Sequence, residues 1–408
     1  MFANEQILVG LEVGTTKVCA VVAEVLEDGN LMIIGVGQTP AEGVRKGEIV
    51  DMEAAAHSIQ TAIAEAEESA GVEIHSVYTS VTGGHIRSFN NRGNVAITND
   101  EREITAEEVR NVLLNAKAVN IPMDHVVVHA IRQHFYVDGH DGIQNPVGMV
   151  GAKLEADVHI IHGVRTRLQN TIRCVKQVPL DIENIAVSSF ASALAVLTTE
   201  HQQLGALVID MGGGTTDFLV YAEGTIQHSG VLAVGGDHVT NDIAIGLRLP
   251  MNRADQLKLE QGAVDWPVPE ETISLKREVG LPDRQVSKAR LCQIMNLRFE
   301  ETLQFIRKEL EKQNLLHYLG AGVFITGGCA RARGLEALAA KVFDLPVHIG
   351  HSHTVGGPTS AIESPEYSTA IGLVRYAVST QDPHRPPSAW QRFGARVQQI
   401  VQKARAFI

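Results

Sequence analysis

The chain has 408 residues, 44% of them hydrophobic, and a formal net charge of −12 at pH 7. That length makes two or more domains with sizeable cores. The acidic balance argues against a general nucleic-acid binder, and no run of about eighteen apolar residues supplies a spanning helix. The N-terminus, Met1-Phe2-Ala3-Asn4-Glu5-Gln6, has no basic region and no cleavage site, so no signal peptide is expected. Cys19, Cys174, Cys292 and Cys329 are widely spaced and read as reduced core thiols. His348, His351 and His353 cluster without a Cys or carboxylate at ligand spacing and read as a solvated loop.

The first element is a hairpin over Val9 to Val18. An apolar strand carries Glu12 near its end, then Gly14-Thr15-Thr16 turns the chain into Lys17 and a second apolar strand. Glycine permits the turn and lets phosphate oxygens approach the backbone N–H groups. The hydroxyls add donors, and Glu12 suits Mg²⁺ held through water, since Mg²⁺ dehydrates reluctantly. A strand follows over Leu31 to Gln38, then a helix from about Asp51 to Ala70. Asp51 is its N-cap, Ile59, Ile63 and Ala66 keep helical spacing, and Gly71 stops it. Val77 to Thr82 reads as a strand ending in Gly83-Gly84.

From His85 to His162 the pattern changes to strand-like runs (Gly93 to Thr98, His125 to Asp138, Lys153 to Ile161) around one helix. That helix opens on the capping box Thr105-Ala106-Glu107-Glu108. This is a compact β-rich insert without a convergent catalytic group, read as an interaction module. Helical sequence resumes over Arg165 to Val178, and the small-residue run Ser188 to Ala195 suits close helix packing against the hairpin that follows it.

A second hairpin spans Leu207 to Phe218, with Asp210 near the first strand's end and Gly212-Gly213-Gly214-Thr215 in the turn. One such hairpin alone is an ordinary glycine turn. Two matched ones, each opening half of the chain, would grip a phosphate chain from both sides. Neither is a Walker A loop nor a GxGxxG dinucleotide turn. Residues 250–319 read as mostly helical and charged, with an apolar stripe of Ile294, Leu297, Leu303, Ile306 and Leu310. A buried strand from Gly322 then ends in Thr326-Gly327-Gly328, and a helix starts near Gly334, a corner where an adenine and ribose could lie on a glycine floor.

The linker Gln381 to Pro387 precedes an amphipathic segment, Ser388 to Ile408. Trp390, Phe393, Val397, Ile400, Val401 and Phe407 share one helix face. The segment has four basic residues and no acidic one. Such a helix suits the surface of an anionic membrane, where each Lys or Arg contributes about 1 kcal/mol.

Phosphate hairpin, phosphate hairpin, then adenosine corner is a motif order that resembles the actin-like ATPase superfamily, and within it the FtsA family of bacterial cell-division proteins. The resemblance covers essentially the whole chain. It is most specific at Val9 to Val18, Lys46 to Asp51, Asn145 to Met149, Ile209 to Asp217, Gly235-Gly236-Asp237, Gly322 to Gly328 and Pro365 to Leu373. It implies an α/β, actin-like two-lobed fold of duplicated ribonuclease-H-like cores with a β-rich inserted subdomain and a C-terminal amphipathic helix.

The parts would be 1–84 and 163–200 for the first lobe, 85–162 for the insert, and 201–249 for the core of the second lobe. The helical subdomain would be 250–319, the adenosine corner 320–345, the closing helix of the first lobe 346–380, the linker 381–387 and the membrane helix 388–408. By the same resemblance, Gly14, Thr15, Thr16 and Lys17 hold ATP phosphates, with Gly212, Gly213, Gly214 and Thr215 closing over them. Glu12 and Asp210 serve Mg²⁺. Gly235, Gly236 and Lys258 line the sugar and base, and Gly327, Gly328 and Arg331 complete the adenosine pocket. Arg290, Arg298 and Glu301 fall on or near the helix that docks the C-terminal tail of FtsZ.

The implied protein sits on the cytoplasmic face of the inner membrane at the division site. There it forms filaments with itself on anionic lipids, links the FtsZ ring to them and recruits later division proteins through the insert. Ser188 to Ala195 offers no carboxylate, Gln or His for an attacking water, so slow ATP hydrolysis is expected. The rival readings are a pilus-assembly ATP-binding adaptor and a small-molecule kinase of the same fold.

Overall fold

The computed structural model describes residues 6–275, 284–352 and 355–380. Two sheets of the same topology form the two lobes. In the first, the antiparallel meander Leu31–Pro40, Lys17–Val25, Gln6–Val13 is extended by parallel strands Ser76–Val81 and Asp181–Val187. In the second, the meander Thr225–Leu232, Thr216–Ala222, Ala206–Met211 is extended by parallel strands Gly322–Thr326 and Val347–Ile349. Each is a ribonuclease-H-like core, so the duplication suggested by the two hairpins extends to the whole sheet. The short strand Val355–Gly356 adds to the edge of the first sheet.

The strands form where the sequence is apolar on both faces. All residues of Ala206–Met211 and Thr216–Ala222 are buried, as expected for strands covered by helices. Helix Met52–Ala70 is capped as expected: Asp51 accepts from the N–H of Glu53 and Ala54, and Gly71 closes it with φ +68°. Helices Ser188–Val196 and Ser368–Thr380 cross between the lobes. They share a buried cluster with both sheets, including Val21, Tyr78, Val208 and Leu373.

The insert is a four-stranded antiparallel sheet, in the order Arg87–Ala96, Lys153–Val164, His125–Val137, His140–Ile143, with helix Ala106–Lys117 on one face. Its capping box is formed by Thr105 and Glu108. The first strand starts at Arg87, earlier than the Gly93 expected, because Arg87 to Arg92 pair with His162 to Asp157.

One other expectation needs correction. Val347–Ile349, assigned with the first lobe, pairs with Val323–Ile325 in the second-lobe sheet. The 250–319 region also holds a two-stranded sheet, Thr272–Leu275 with Arg284–Ser287, beside helices Met251–Gln261 and Lys288–Lys312. The membrane-helix residues Trp390, Phe393, Val397, Ile400, Val401 and Phe407, and also His353, lie outside the described residues.

Candidate functional site

The two hairpins meet at the mouth of a cleft of about 850 Å³ between the lobes. Their turns are built alike. Gly14 N–H donates to Lys17 O and Gly212 N–H to Thr215 O, both at 2.9 Å. This pairing sets the correspondence: Thr15-Thr16 matches Gly213-Gly214, while Thr215 matches Lys17. The Thr-Thr pairs alike in sequence are therefore two positions out of register, and Thr216 lies buried in the strand.

The turns touch tip to tip. A Cβ on Gly213 would lie 2.2 Å from Thr16 Cγ2, and one on Gly214 would lie 2.4 Å from Thr15 Oγ1 and 2.8 Å from Lys46 Cα. Glycine at both positions is what allows the lobes to approach. The N–H groups of Thr15, Thr16, Gly213 and Gly214 have no acceptor among the described residues, which leaves them to an anion.

The carboxylates lie just inside. Asp210 Oδ2 accepts from Ser192 Oγ and, at 2.8 Å, from Thr369 Oγ1, so the two crossing helices aim it. Burial pushes its carboxyl above the usual range. Glu12 Oε2 pairs with Lys17 Nζ at 2.8 Å. Burial alone would pull the Lys17 ammonium down, but Glu12, with Cys19 and Asp210 adding to it, reverses this and holds it charged. Asp217 accepts from Thr82 Oγ1 at 2.6 Å across the lobes, and burial, then Asp210, raise it to about 7. Buried Asp210 and Asp217 and half-buried Glu12 outnumber the single ammonium of Lys17 beside them, in a cleft with unpaired N–H groups at its end. That donor set fits a phosphate chain carried with a divalent cation.

At the far side, Thr326 Oγ1 donates to Pro365 O at 2.9 Å and Gly327 N–H to the same oxygen at 3.1 Å. Gly327 has φ +82°, and a Cβ there would lie 2.4 Å from Asp210 Oδ1. Gly328 faces open space in the cleft. Arg331 pairs with Glu366 at 2.7 Å on the rim. Gly236 N–H and Asp237 N–H donate to Gly212 O and Gly213 O, fixing the second turn on the N-terminus of helix Gly236–Leu247. Gly235 packs behind that turn, 2.5 Å from Gly212 O were it to carry a Cβ. Lys258 lines the cleft, but its ammonium already bonds Asp255 at 2.6 Å and Thr240 at 2.7 Å.

Sequence reasoning missed Thr82 and the Ser192 and Thr369 supports, which come from separate segments with no local motif. It also missed that Lys46-Gly47 straps the turns. Lys46 has φ +52°, and Gly47 N–H donates to Thr15 Oγ1 at 2.9 Å.

Arg290, Arg298 and Glu301 all lie on helix Lys288–Lys312, away from the cleft. Arg298 bonds Asp242 of helix Gly236–Leu247 at 2.5 Å and also Glu301. Arg290 is exposed and bonds Gln293 at 2.9 Å. Ile245 and Leu297 stand exposed on the same two helices.

The family model "Cell division protein FtsA" matches residues 207–372, and "SHS2 domain inserted in FTSA" matches 83–162. The chain is 37% identical over 378 residues to Cell division protein FtsA of Pseudomonas aeruginosa, covering 92% of this chain and 90% of that one. It is 38% identical to the protein of that name from Borreliella burgdorferi, covering 91% of each, and 37% identical to that of Escherichia coli K12, covering 91% and 90%. Among solved structures it is similar to a PilM-PilN type IV pilus biogenesis complex, with TM-score 0.65, 16% identity, and 91% and 98% coverage. It is also similar to MreB 5 of Spiroplasma citri bound to AMPPNP, with TM-score 0.56, 15% identity, and 92% and 97% coverage. At those identities the likeness is one of fold, an actin-like pair of lobes, and gives the pilus reading no functional support.

Proposed function

Since this chain belongs to the FtsA family of cell-division proteins, we propose that it is an ATP-binding, actin-like division protein that polymerises at the inner membrane and tethers the FtsZ ring there. The observation that carries the nucleotide part is the meeting of the two glycine turns over Asp210 and Glu12. Thr15, Thr16, Gly213 and Gly214 would donate to phosphates, and Lys17 would add charge. Asp210, oriented by Ser192 and Thr369, would hold Mg²⁺ through water together with Glu12. Bound Mg²⁺ supplies charge neutralisation at the phosphates. Gly328 leaves room for the sugar and base, with Arg331 at the rim. Hydrolysis is slow in this reading, because the segment opening on Ser188 presents hydroxyls rather than a base to the cleft.

FtsZ's C-terminal tail would dock on helix Lys288–Lys312. Leu297 and Ile245 offer exposed apolar surface there, and Arg298 offers a cation held in place by Asp242. That chemistry suits a short acidic and apolar peptide. Arg298→Glu is expected to weaken binding of such a peptide at least tenfold by fluorescence anisotropy, and unchanged affinity would remove this face from the account.

The membrane part is carried by the sequence of Ser388 to Ile408, and among the described residues no helix is long and apolar enough to cross a bilayer. Later division proteins would meet the insert. The whole reading is tested by pelleting with anionic liposomes and Mg-ATP, comparing the intact chain with one ending at Thr380. Binding by the intact chain alone is expected. Equal behaviour of the two would refute the membrane tether.

A further inference from the structure

The insert branches from the first lobe, yet many of its polar contacts are with the second. Strand Thr225–Leu232 is the edge of the second-lobe sheet, and an edge presents carbonyls without ladder partners. Here side chains of the insert take them up. Asn90 Nδ2 donates to Gln227 O at 2.9 Å, Ser88 Oγ to Ser229 O at 2.6 Å, and Gln133 Nε2 to Ile226 O at 2.6 Å. His159 bridges Asn90 Oδ1 at 2.6 Å and Ser229 Oγ at 2.9 Å. His134 Nε2 shares a 3.0 Å bond with Thr225 Oγ1. Gln133 and His159 are buried in this seam, so water cannot readily replace the bonds they would lose.

The insert is held equally to the other lobe. His129 Nε2 accepts from Val187 N–H at 3.1 Å, where strand Asp181–Val187 runs into the first crossing helix. Its ring meets Phe190 and Tyr376, one from each crossing helix, edge to face at 5.4 and 5.8 Å. A small apolar cluster joins Ile86 and Ile161 of the insert to Val81, Leu168 and Val187 of the first lobe, with Val231 of the second packed against it. A rotation that opens the cleft about the crossing helices must therefore break the seam on Thr225–Leu232 or carry the insert with it.

We propose that the inserted subdomain is a clasp across the two lobes, whose seating on strand Thr225–Leu232 and the closure of the cleft form one coupled equilibrium. Coupling of this kind is reciprocal: a ligand that favours closure tightens the seam, and loosening the seam weakens that ligand. The ligand half rests on the nucleotide reading above. The mechanical half does not.

The test uses the full chain with Asn90→Ala and Gln133→Ala together, which removes two seam donors and leaves the cleft intact. Spin labels are placed through unnatural amino acids at exposed Glu68 in the first lobe and exposed Glu336 in the second. Without nucleotide, pulsed electron paramagnetic resonance is expected to give a broader and longer interlobe distance in the variant. Superimposable distributions would overturn the clasp. With Mg-ATP, the variant is expected to bind about fivefold more weakly or worse, and nucleotide is expected to slow hydrogen exchange along Thr225–Leu232 in the parent chain only. Unchanged affinity and exchange would overturn the coupling. If the parent binds no nucleotide, the nucleotide reading fails, and the distance measurement still decides the clasp. If the double variant does not fold, Ser88→Ala removes a single seam bond and is expected to give the same shift in smaller measure, with no shift again counting against the clasp.

Discussion

Asp217 shows how the cleft stores charge. It lies opposite Asp210 in the strand ladder, buried, with Thr82 of the other lobe donating to it. Its pKa of about 7 stands well above its ordinary value of 3.8. A carboxyl raised by folding contributes its full stability below the unfolded value and loses it as pH rises towards the folded one. Asp217→Asn removes that cost, so the nucleotide-free variant should gain stability increasingly from pH 4 to 7 and then level off, by at most roughly 4 kcal/mol. Urea unfolding at pH 5 and pH 8 checks this, and an equal gain at both would contradict it. The buried histidines act with the opposite sign. Burial lowers His129 to about 4 and His159 to about 3. Their contribution is complete above about 6.5 and is lost as pH falls below it. The loss of urea midpoint caused by His159→Asn should therefore shrink as pH falls from 6.5 to 4.

At the scale of elements, the small-residue run Ser188 to Ala195 was legible as a helix packed closely, and its partner explains why. Gly372 on helix Ser368–Thr380 lies so near that a Cβ would sit 1.7 Å from Ala191 O. Gly372→Ala must push the crossing helices apart, at a cost of about 1–3 kcal/mol by chemical denaturation, and no loss would deny the close crossing. Asp51→Ala should cost about 1 kcal/mol through its helix cap. Caps, apolar strands and glycine turns are local devices, so the sequence displayed them. The strand Val347–Ile349 is three residues long and takes its place only from pairing with Val323–Ile325. The sheet at Thr272–Leu275 escaped notice because the charged helices around it dominate the pattern. In the site, the turns were readable, but the Thr82 and Thr369 contacts to the acidic groups join residues 135 and 159 positions apart, and the Ser192 contact joins a helix to the strand of Asp210. No spacing rule reaches them.

At the scale of the molecule, two copies of one sheet face each other across a single cleft, the first contributing one turn and Glu12, the second one turn with Asp210 and Asp217. The insert and the crossing helices tie the copies together. Helix Lys288–Lys312 is joined to the cleft through helix Gly236–Leu247, whose N-terminus holds the second turn and whose Asp242 holds Arg298. The central claim is that turns from both lobes grip one nucleotide. Calorimetric titration of Mg-ATP into the intact chain tests it most directly, beside Gly213→Val in the second turn and Thr16→Val in the first. The account predicts saturable binding to the parent chain, lost or weakened at least tenfold by Gly213→Val and weakened by Thr16→Val, with all three chains equally folded. Parent-like affinity in Gly213→Val would mean that the two turns do not close on the nucleotide, and would contradict the shared grip.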